Sequence, residues 1–305
     1  MKTHISPKEF GEATGVSESS VKRWIDAGLI EASRTAGGHR RITLEEAVRY
    51  IRDHRLIVLK PQVLGLRDLL TTTVDIGDGK LAHRALSHAL QTGLAPQVRG
   101  IILSLYLSGF SIAAIADGPV ASAMHDVGEL WKTSKAGIFV EHRATDLCVQ
   151  AINHLRGLLP AADESAPIAM GAAPSDDPYL LPSLLASTTL SADGWRAVNL
   201  GPQMPLDVFA LAAKENGAEL AWLSITAPQT DAGLITEVER LAQQLHEYGT
   251  TLVVGGQQLP RPFKLSAPNL HIAYSMAELA SFARGLRQSI ASTHRSNLGL
   301  LPQQH

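Results

Sequence analysis

Around DESAP, residues 163–167, the apolar residues of this chain change their period. From there on, short apolar runs alternate with helical stretches: PIAMGA, LLPSLLASTTLSADG, WRAVNLG, PLDVFALAAKENG, AELAWLSIT, AGLITEVERLAQQLHEYG, TLVVGG and SMAELASFARGLRQSI. Strands that are apolar on both faces must be covered on both faces. Alternating strand and helix therefore predicts a parallel sheet, an α/β Rossmann-like domain over 166–290. Residues 291–305 read as a frayed tail.

Upstream, the period is helical throughout. LAHRALSHALQ, PQVRGIILSLYLSG, GPVASAMHDVGELWK and GIFVEHRATDLCVQAINHLRGLL predict a four-helix bundle over 79–160, with Gly- or Pro-marked loops. Gly100–Ala116 is uncharged, but it is short of a membrane span and broken by Gly and Ser, so it reads as buried helix. Residues 61–78 read as a linker. Residues 1–60 are dense with helix punctuation. Ser6-Pro7 opens a helix and Gly15 stops it. Ser17 caps a second helix with Val21, Trp24 and Ile25 on its apolar face, and Thr43 with Glu46 caps a third. Between them, Gly37-Gly38 joins two short β-compatible stretches, a hairpin signal. The fold class is thus multidomain: a winged helix-turn-helix, a four-helix bundle, then the α/β domain.

Charge separates the ends. Residues 1–60 carry 11 Lys and Arg against 8 Asp and Glu, a net of +3, on a chain of net −2; the remainder is therefore −5. A basic head on an acidic body fits a nucleic-acid-binding module joined to a sensor or enzyme. One cysteine, Cys148, excludes a disulfide framework and a cysteine-based metal site. The N-terminal MKTHISPKEFGEATG lacks the apolar core of a signal peptide. A cytoplasmic location without membrane association is expected.

The stretch ISPKEFGEATGVSESSVKRWIDAGLI followed by RTAGGHRRI resembles the MerR family of transcription regulators, whose second helix ends W-x-x-x-G-L-I before a GGHRR wing. Ser19, Ser20, Lys22 and Arg23 present small polar and basic groups on the recognition helix. Arg34, His39, Arg40 and Arg41 on the wing suit phosphate or the minor groove of a double-stranded DNA operator. Trp24 reads as core.

The α/β part lacks the G-x-G-x-x-G fingerprint after its first strand, which argues against a nicotinamide enzyme. Leu200-Gly201-Pro202-Gln203-Met204-Pro205, Leu223-Ser224-Ile225-Thr226 and Gly255-Gly256 all fall at carboxyl ends of strands. Together they resemble a cobalamin-binding domain of the methionine synthase type. The resemblance implies that Gly201, Ser224, Thr226, Gly255 and Gly256 line the cleft for the corrin and its nucleotide tail. It also implies D-x-H-x-x-G after the first strand, with the His ligating cobalt. The aligned residues here are Asp177-Pro178-Tyr179-Leu180-Leu181-Pro182. Asp177 is retained, Tyr179 stands for the ligand, and Pro182 stands where the tail should thread. No His lies between His154 and His246.

The order of head, bundle and α/β domain resembles light-responsive regulators of the CarH and LitR kind. WKTSKAGIFVEH at 131–142 matches their W-x9-EH pattern. The resemblance implies adenosylcobalamin as cofactor. Trp131 would pack against the adenosyl group, Glu141 would bond it, and His142 would capture cobalt after light removes it. His83, His88, His125 and His154 read as helix-surface residues. Three arrangements follow from the missing lower ligand: base-on cobalamin, little or no cofactor, or another tetrapyrrole with His142 as metal ligand. The reading is a sequence-specific DNA-binding repressor, not an enzyme, whose corrinoid-type, light-responsive module controls a homo-oligomer, dimer or tetramer. The alternatives are a regulator independent of cobalamin and a corrinoid enzyme subunit.

Overall fold

The computed structural model describes residues 2–71, 79–130, 135–228, 233–259 and 267–297. These form two compact units, Met1–Pro160 and Ala161–His305.

The first unit begins with β1 (His4–Ile5), α1 (Pro7–Thr14), α2 (Glu18–Asp26), β2 (Ser33–Arg34), β3 (Arg40–Thr43) and α3 (Leu44–Asp53). Local chemistry sets the ends of these helices. Ser6 and Glu9 close a capping box on α1, and Gly15 ends that helix at φ 75°. Ser17 and Thr43 cap α2 and α3 through their hydroxyls. Glu46 does not reach back to its cap; its carboxylate accepts from Glu31 N at 2.8 Å and pairs with Arg49. The three strands form a small antiparallel sheet in the order β1–β3–β2. Ile5, Phe10, Val21, Ile42, Val48 and Ile51 fill the core beneath.

The segment expected to be a linker holds structure. A short helix α4 (Pro61–Leu64) and a 3₁₀ turn (Arg67–Thr71) continue from the head. Leu59 N and Lys60 N bond Ala13 O, and Lys60 pairs with Glu12 at 3.0 Å. Residues 72–78 of that segment lie outside the described residues. The helical module then comprises α5 (Gly79–Thr92), α6 (Ala95–Leu107), α7 (Ile112–Ile115), α8 (Ala121–Leu130) and α9 (Lys135–Arg156). A π-helical turn, Ala116–Val120, joins α7 to α8 and contains Pro119. Proline has no N–H for the i−4 carbonyl and its ring crowds the preceding turn, so the helix widens there. Arg52 of α3 bonds the carbonyls of Tyr106, Gly109 and Phe110 at the end of α6 and lies 4.1 Å over the Tyr106 ring. Cys148 is buried, which pushes its thiol up to about 12 and leaves it an inert core residue.

The second unit alternates as its sequence predicts: β4 (Ile168–Ala172), α10 (Leu180–Ala192), β5 (Arg196–Asn199), α11 (Leu206–Glu215), β6 (Leu220–Ser224), α12 (Gly233–Glu247), β7 (Thr251–Gly255), β8 (Leu270–Ala273) and α13 (Met276–Asn297). All strands are parallel, in the order β5–β4–β6–β7–β8. Every residue of β6 is buried, while the edge strand β5 alternates in exposure. β8 was not among the strands read from the sequence. α13 runs to Asn297 rather than ending near 290, so the expected tail starts as helix; residues 298–305 lie outside the described residues. No helix among the described residues is long and apolar enough to cross a membrane.

Candidate functional site

In the head, α2 and the β2–β3 wing carry the expected basic residues. The wing turn is closed by Thr35 N to His39 O at 2.9 Å and Gly38 N to Thr35 O at 2.8 Å. Gly38 sits at φ 79°, a left-handed value that a side chain would strain. Arg34, His39 and Arg41 are exposed, and neither arginine has an ion-pair partner among the described residues. Arg40 differs: its guanidinium pairs with Asp26 at the end of α2 at 2.5 Å and is only 20% exposed. It ties the wing to the end of α2. On α2, Ser19 is exposed, Lys22 pairs with Glu18 at 2.7 Å, and Arg23 donates to Ser20 Oγ at 3.2 Å. Trp24 is half-buried against Tyr50, ring centroids 5.0 Å apart.

In the helical module, Glu141 and His142 lie on the first half of α9. Glu141 is 28% exposed and accepts from Thr145 Oγ1 at 3.2 Å. His142 is 78% exposed, with Nε2 3.8 Å from the Glu141 carboxylate. Ile138 and Phe139 on the same turn are also exposed. Trp131 lies outside the described residues. His83 is not a bare surface residue: it pairs with Asp126 at 2.7 Å and ties α5 to α8. His154 is half-buried.

In the α/β unit, the strand order reverses direction between β4 and β6, and ligands of open α/β sheets bind outside the carboxyl ends at such a point. Asp177 lies there and is fully buried. One carboxylate oxygen accepts from Thr226 N at 2.6 Å and Ala227 N at 2.9 Å; the other accepts from Tyr179 N at 3.1 Å. Asp177 thus binds the loop after β4 to the loop after β6, with its acceptors committed to backbone. The loop after β5 is pinned to the first loop as well, through Met204 N to Ala173 O and Gln203 N to Asp177 O. Tyr179 precedes α10 and is 42% exposed. Pro182 falls in the first turn of α10, where a missing N–H costs nothing.

The remaining small and hydroxyl residues divide. A Cβ at Gly256, φ 131°, would lie 2.0 Å from Ile225 O, and one at Gly255 would lie 2.7 Å from Ala273 O; both glycines permit close backbone packing. A Cβ at Gly201 would meet nothing within 4 Å. Ser224 is buried at the end of β6. The hydroxyl of Thr226 is buried and has no partner among the described residues. A buried hydroxyl with no partner is uncommon, and one in a loop at a switch point can serve a ligand. Among the described residues, no group of three or more His, Cys, Asp or Glu could hold a metal ion.

Two family profiles match the chain. Residues 6–42 match MerR family regulatory protein, and residues 82–156 match B12 binding domain. The head thus carries a MerR-type domain and the helices α5–α9 a B12-binding domain. Dimethylamine corrinoid protein 2 of Methanosarcina acetivorans is 26% identical over 148 residues, spanning 47% of this chain and 68% of that protein. Among solved structures, the monomethylamine corrinoid protein of Methanosarcina barkeri has 19% identity and a TM-score of 0.49, with 66% of this chain and 96% of that chain covered. A cobalamin-binding protein from Desulfitobacterium hafniense has 15% identity and a TM-score of 0.36, with 67% and 98% covered.

Proposed function

We propose that this chain is a DNA-binding transcription repressor that senses a corrinoid of the adenosylcobalamin type, with light and the loss of the adenosyl group changing its homo-oligomeric state. The observation that carries the reading is the union, in one chain, of a MerR-type domain at 6–42 with a B12-binding domain at 82–156. The exposed Arg34 and Arg41 supply phosphate contacts, and α2 supplies the major-groove helix.

Glu141 and His142 support a corrinoid whose upper face meets α9. Glu141, oriented by Thr145, offers a carboxylate to the hydroxyls or amine of an adenosyl group. The exposed His142 offers an imidazole nitrogen to cobalt. When bound, the corrinoid supplies a light-labile cobalt–carbon bond. In the α/β unit, the Thr226 hydroxyl has no partner among the described residues and a Cβ at Gly201 would meet nothing within 4 Å, which supports a ligand at the strand ends. A protein ligand from below does not fit. The loop after β4 offers Tyr179, and a phenol is a poorer cobalt ligand than an imidazole nitrogen.

A second reading is a carrier subunit in corrinoid methyl transfer, favoured by the relative from Methanosarcina acetivorans. The MerR-type head is foreign to that role, and regulation remains the better account. The deciding experiment titrates the protein with adenosylcobalamin in the dark and follows gel filtration before and after green light. DNA binding is read in parallel on duplexes selected from a random pool. Cobalamin bound with a light-dependent change in size supports the sensor. Selected DNA bound with no cobalamin uptake would leave a regulator independent of cobalamin, and methyl transfer without DNA binding would leave the carrier.

A further inference from the structure

The interior of the α/β unit, on the side covered by α10 and α13, is packed by two indoles. Trp195 and Trp222 are 1% and 2% exposed, amid Ala169, Ala186, Leu190 and Val253. Trp222 on β6 pairs in register with Gly171 on β4. A Cβ at Gly171 would fall 2.0 Å from the indole, so the ring lies flat over that glycine. Its Nε1 donates to Ser183 Oγ of α10 at 3.1 Å. Ser183 Oγ donates to Asn199 Oδ1 at 2.8 Å, which also accepts from Gly201 N at 3.1 Å. This relay joins β6, α10, the end of β5 and the loop after it, and holds the indole across the layer between β4, β6 and α10. The opposite side, under α11 and α12, is packed by Phe209, Leu223, Leu241, Leu245 and Val254.

We propose that Trp222 determines which corrinoid this unit accepts, by closing its interior to a displaced nucleotide base. A corrinoid at the strand ends must then either keep its own benzimidazole on cobalt or carry no nucleotide at all. Cobinamide and base-on cobalamin are therefore equivalent ligands. The inference rests on the corrinoid reading above and specifies its ligand. Tyr179 agrees with it, because no protein nitrogen competes with the benzimidazole from that loop.

The test uses the full chain with cob(II)alamin and cob(II)inamide, titrated separately, and electron paramagnetic resonance of each complex. Bound cob(II)alamin should keep the three-line nitrogen splitting of its own base. The two affinities should agree within about threefold. Cob(II)inamide controls for His142, since any nitrogen splitting in that complex comes from the protein. Loss of the splitting when cob(II)alamin binds, or cob(II)inamide binding more than tenfold more weakly, would overturn the inference while leaving the corrinoid reading intact. Binding of neither overturns both. Trp222→Gly should open the layer, abolish the splitting and favour cobalamin over cobinamide at least tenfold; an unchanged ratio in the folded variant counts against the plug.

Discussion

The wing of the head and the strand ends of the α/β unit treat their polar residues in opposite ways. On the wing, Arg34, His39 and Arg41 are exposed on a hairpin whose turn is closed by backbone hydrogen bonds, while Arg40 is tied to Asp26. At the strand ends, the residues that mark the site are largely absorbed by the fold. Asp177 binds two loops together, Gly255 and Gly256 allow strands and turns to close up, and Gly171 yields its space to Trp222. Thr226, whose buried hydroxyl has no partner among the described residues, and Gly201, where a Cβ would meet nothing within 4 Å, are not absorbed in this way. A motif residue near a ligand site can thus be there for the scaffold, and partner geometry separates the two cases.

The largest effect that could break this contrast is at Asp177. Asp177→Ala leaves three backbone N–H donors without their carboxylate in a buried site. The expected cost is about 3 kcal/mol to the α/β unit, from charge-assisted bonds and desolvated donors. Urea unfolding followed by fluorescence of the buried Trp195 and Trp222 measures it, and DNA affinity of the head should not change. A loss below about 0.5 kcal/mol would mean that Asp177 serves a ligand rather than the loops.

On the wing, Arg41→Ala should weaken DNA binding about tenfold at 0.1 M salt and lower the slope of log affinity against log salt by about 1, as one phosphate contact is lost. Arg40→Ala should lose less, because its guanidinium already pairs with Asp26. Equal losses, read by fluorescence anisotropy across a salt series, would show that the Asp26 pair opens on DNA. Thr226→Val is the sharper test at the strand ends. It removes an unpaired buried hydroxyl at constant shape, so stability should hold or rise by up to about 1 kcal/mol. Corrinoid affinity should fall several-fold in the same protein. A destabilised variant would place Thr226 with Asp177 among the scaffold residues.

What was legible in the sequence was local. Caps at Ser6, Ser17 and Thr43 act over three residues, and the apolar period sets strand against helix within a single run, so helix starts and most strands could be read directly. What was not legible depends on partners far along the chain. The acceptors of Asp177 meet Thr226, 49 residues away; Arg40 meets Asp26, 14 away; and the room for Trp222 comes from a glycine on another strand. β8 is the short run LHIA, with no alternation of its own, and its pairing with β7 makes it a strand. Tyr179 and Pro182 were visible as departures, but that the interior beneath them is filled could be seen only once β4 and β6 were side by side.

Helix α9 repeats the contrast on a smaller scale. His142 is exposed, whereas His154, three turns further on, is half-buried, and loss of hydration lowers its pKa despite the nearby Asp68 carboxylate; Arg99 adds to the lowering. A histidine with its folded pKa below 6.5 binds fewer protons in the folded chain than in the unfolded one. Its contribution to stability is therefore complete above about pH 6.5 and is lost as the pH falls through the depressed folded value. The unit that holds the head and helices should lose thermal stability on acidification from pH 7 towards 5. His154→Gln should flatten that slope. Melting curves across this range decide the matter: a folded His154 variant that kept the full slope would mean that the acid sensitivity comes from other groups in this unit, and that burial of this histidine does not set it.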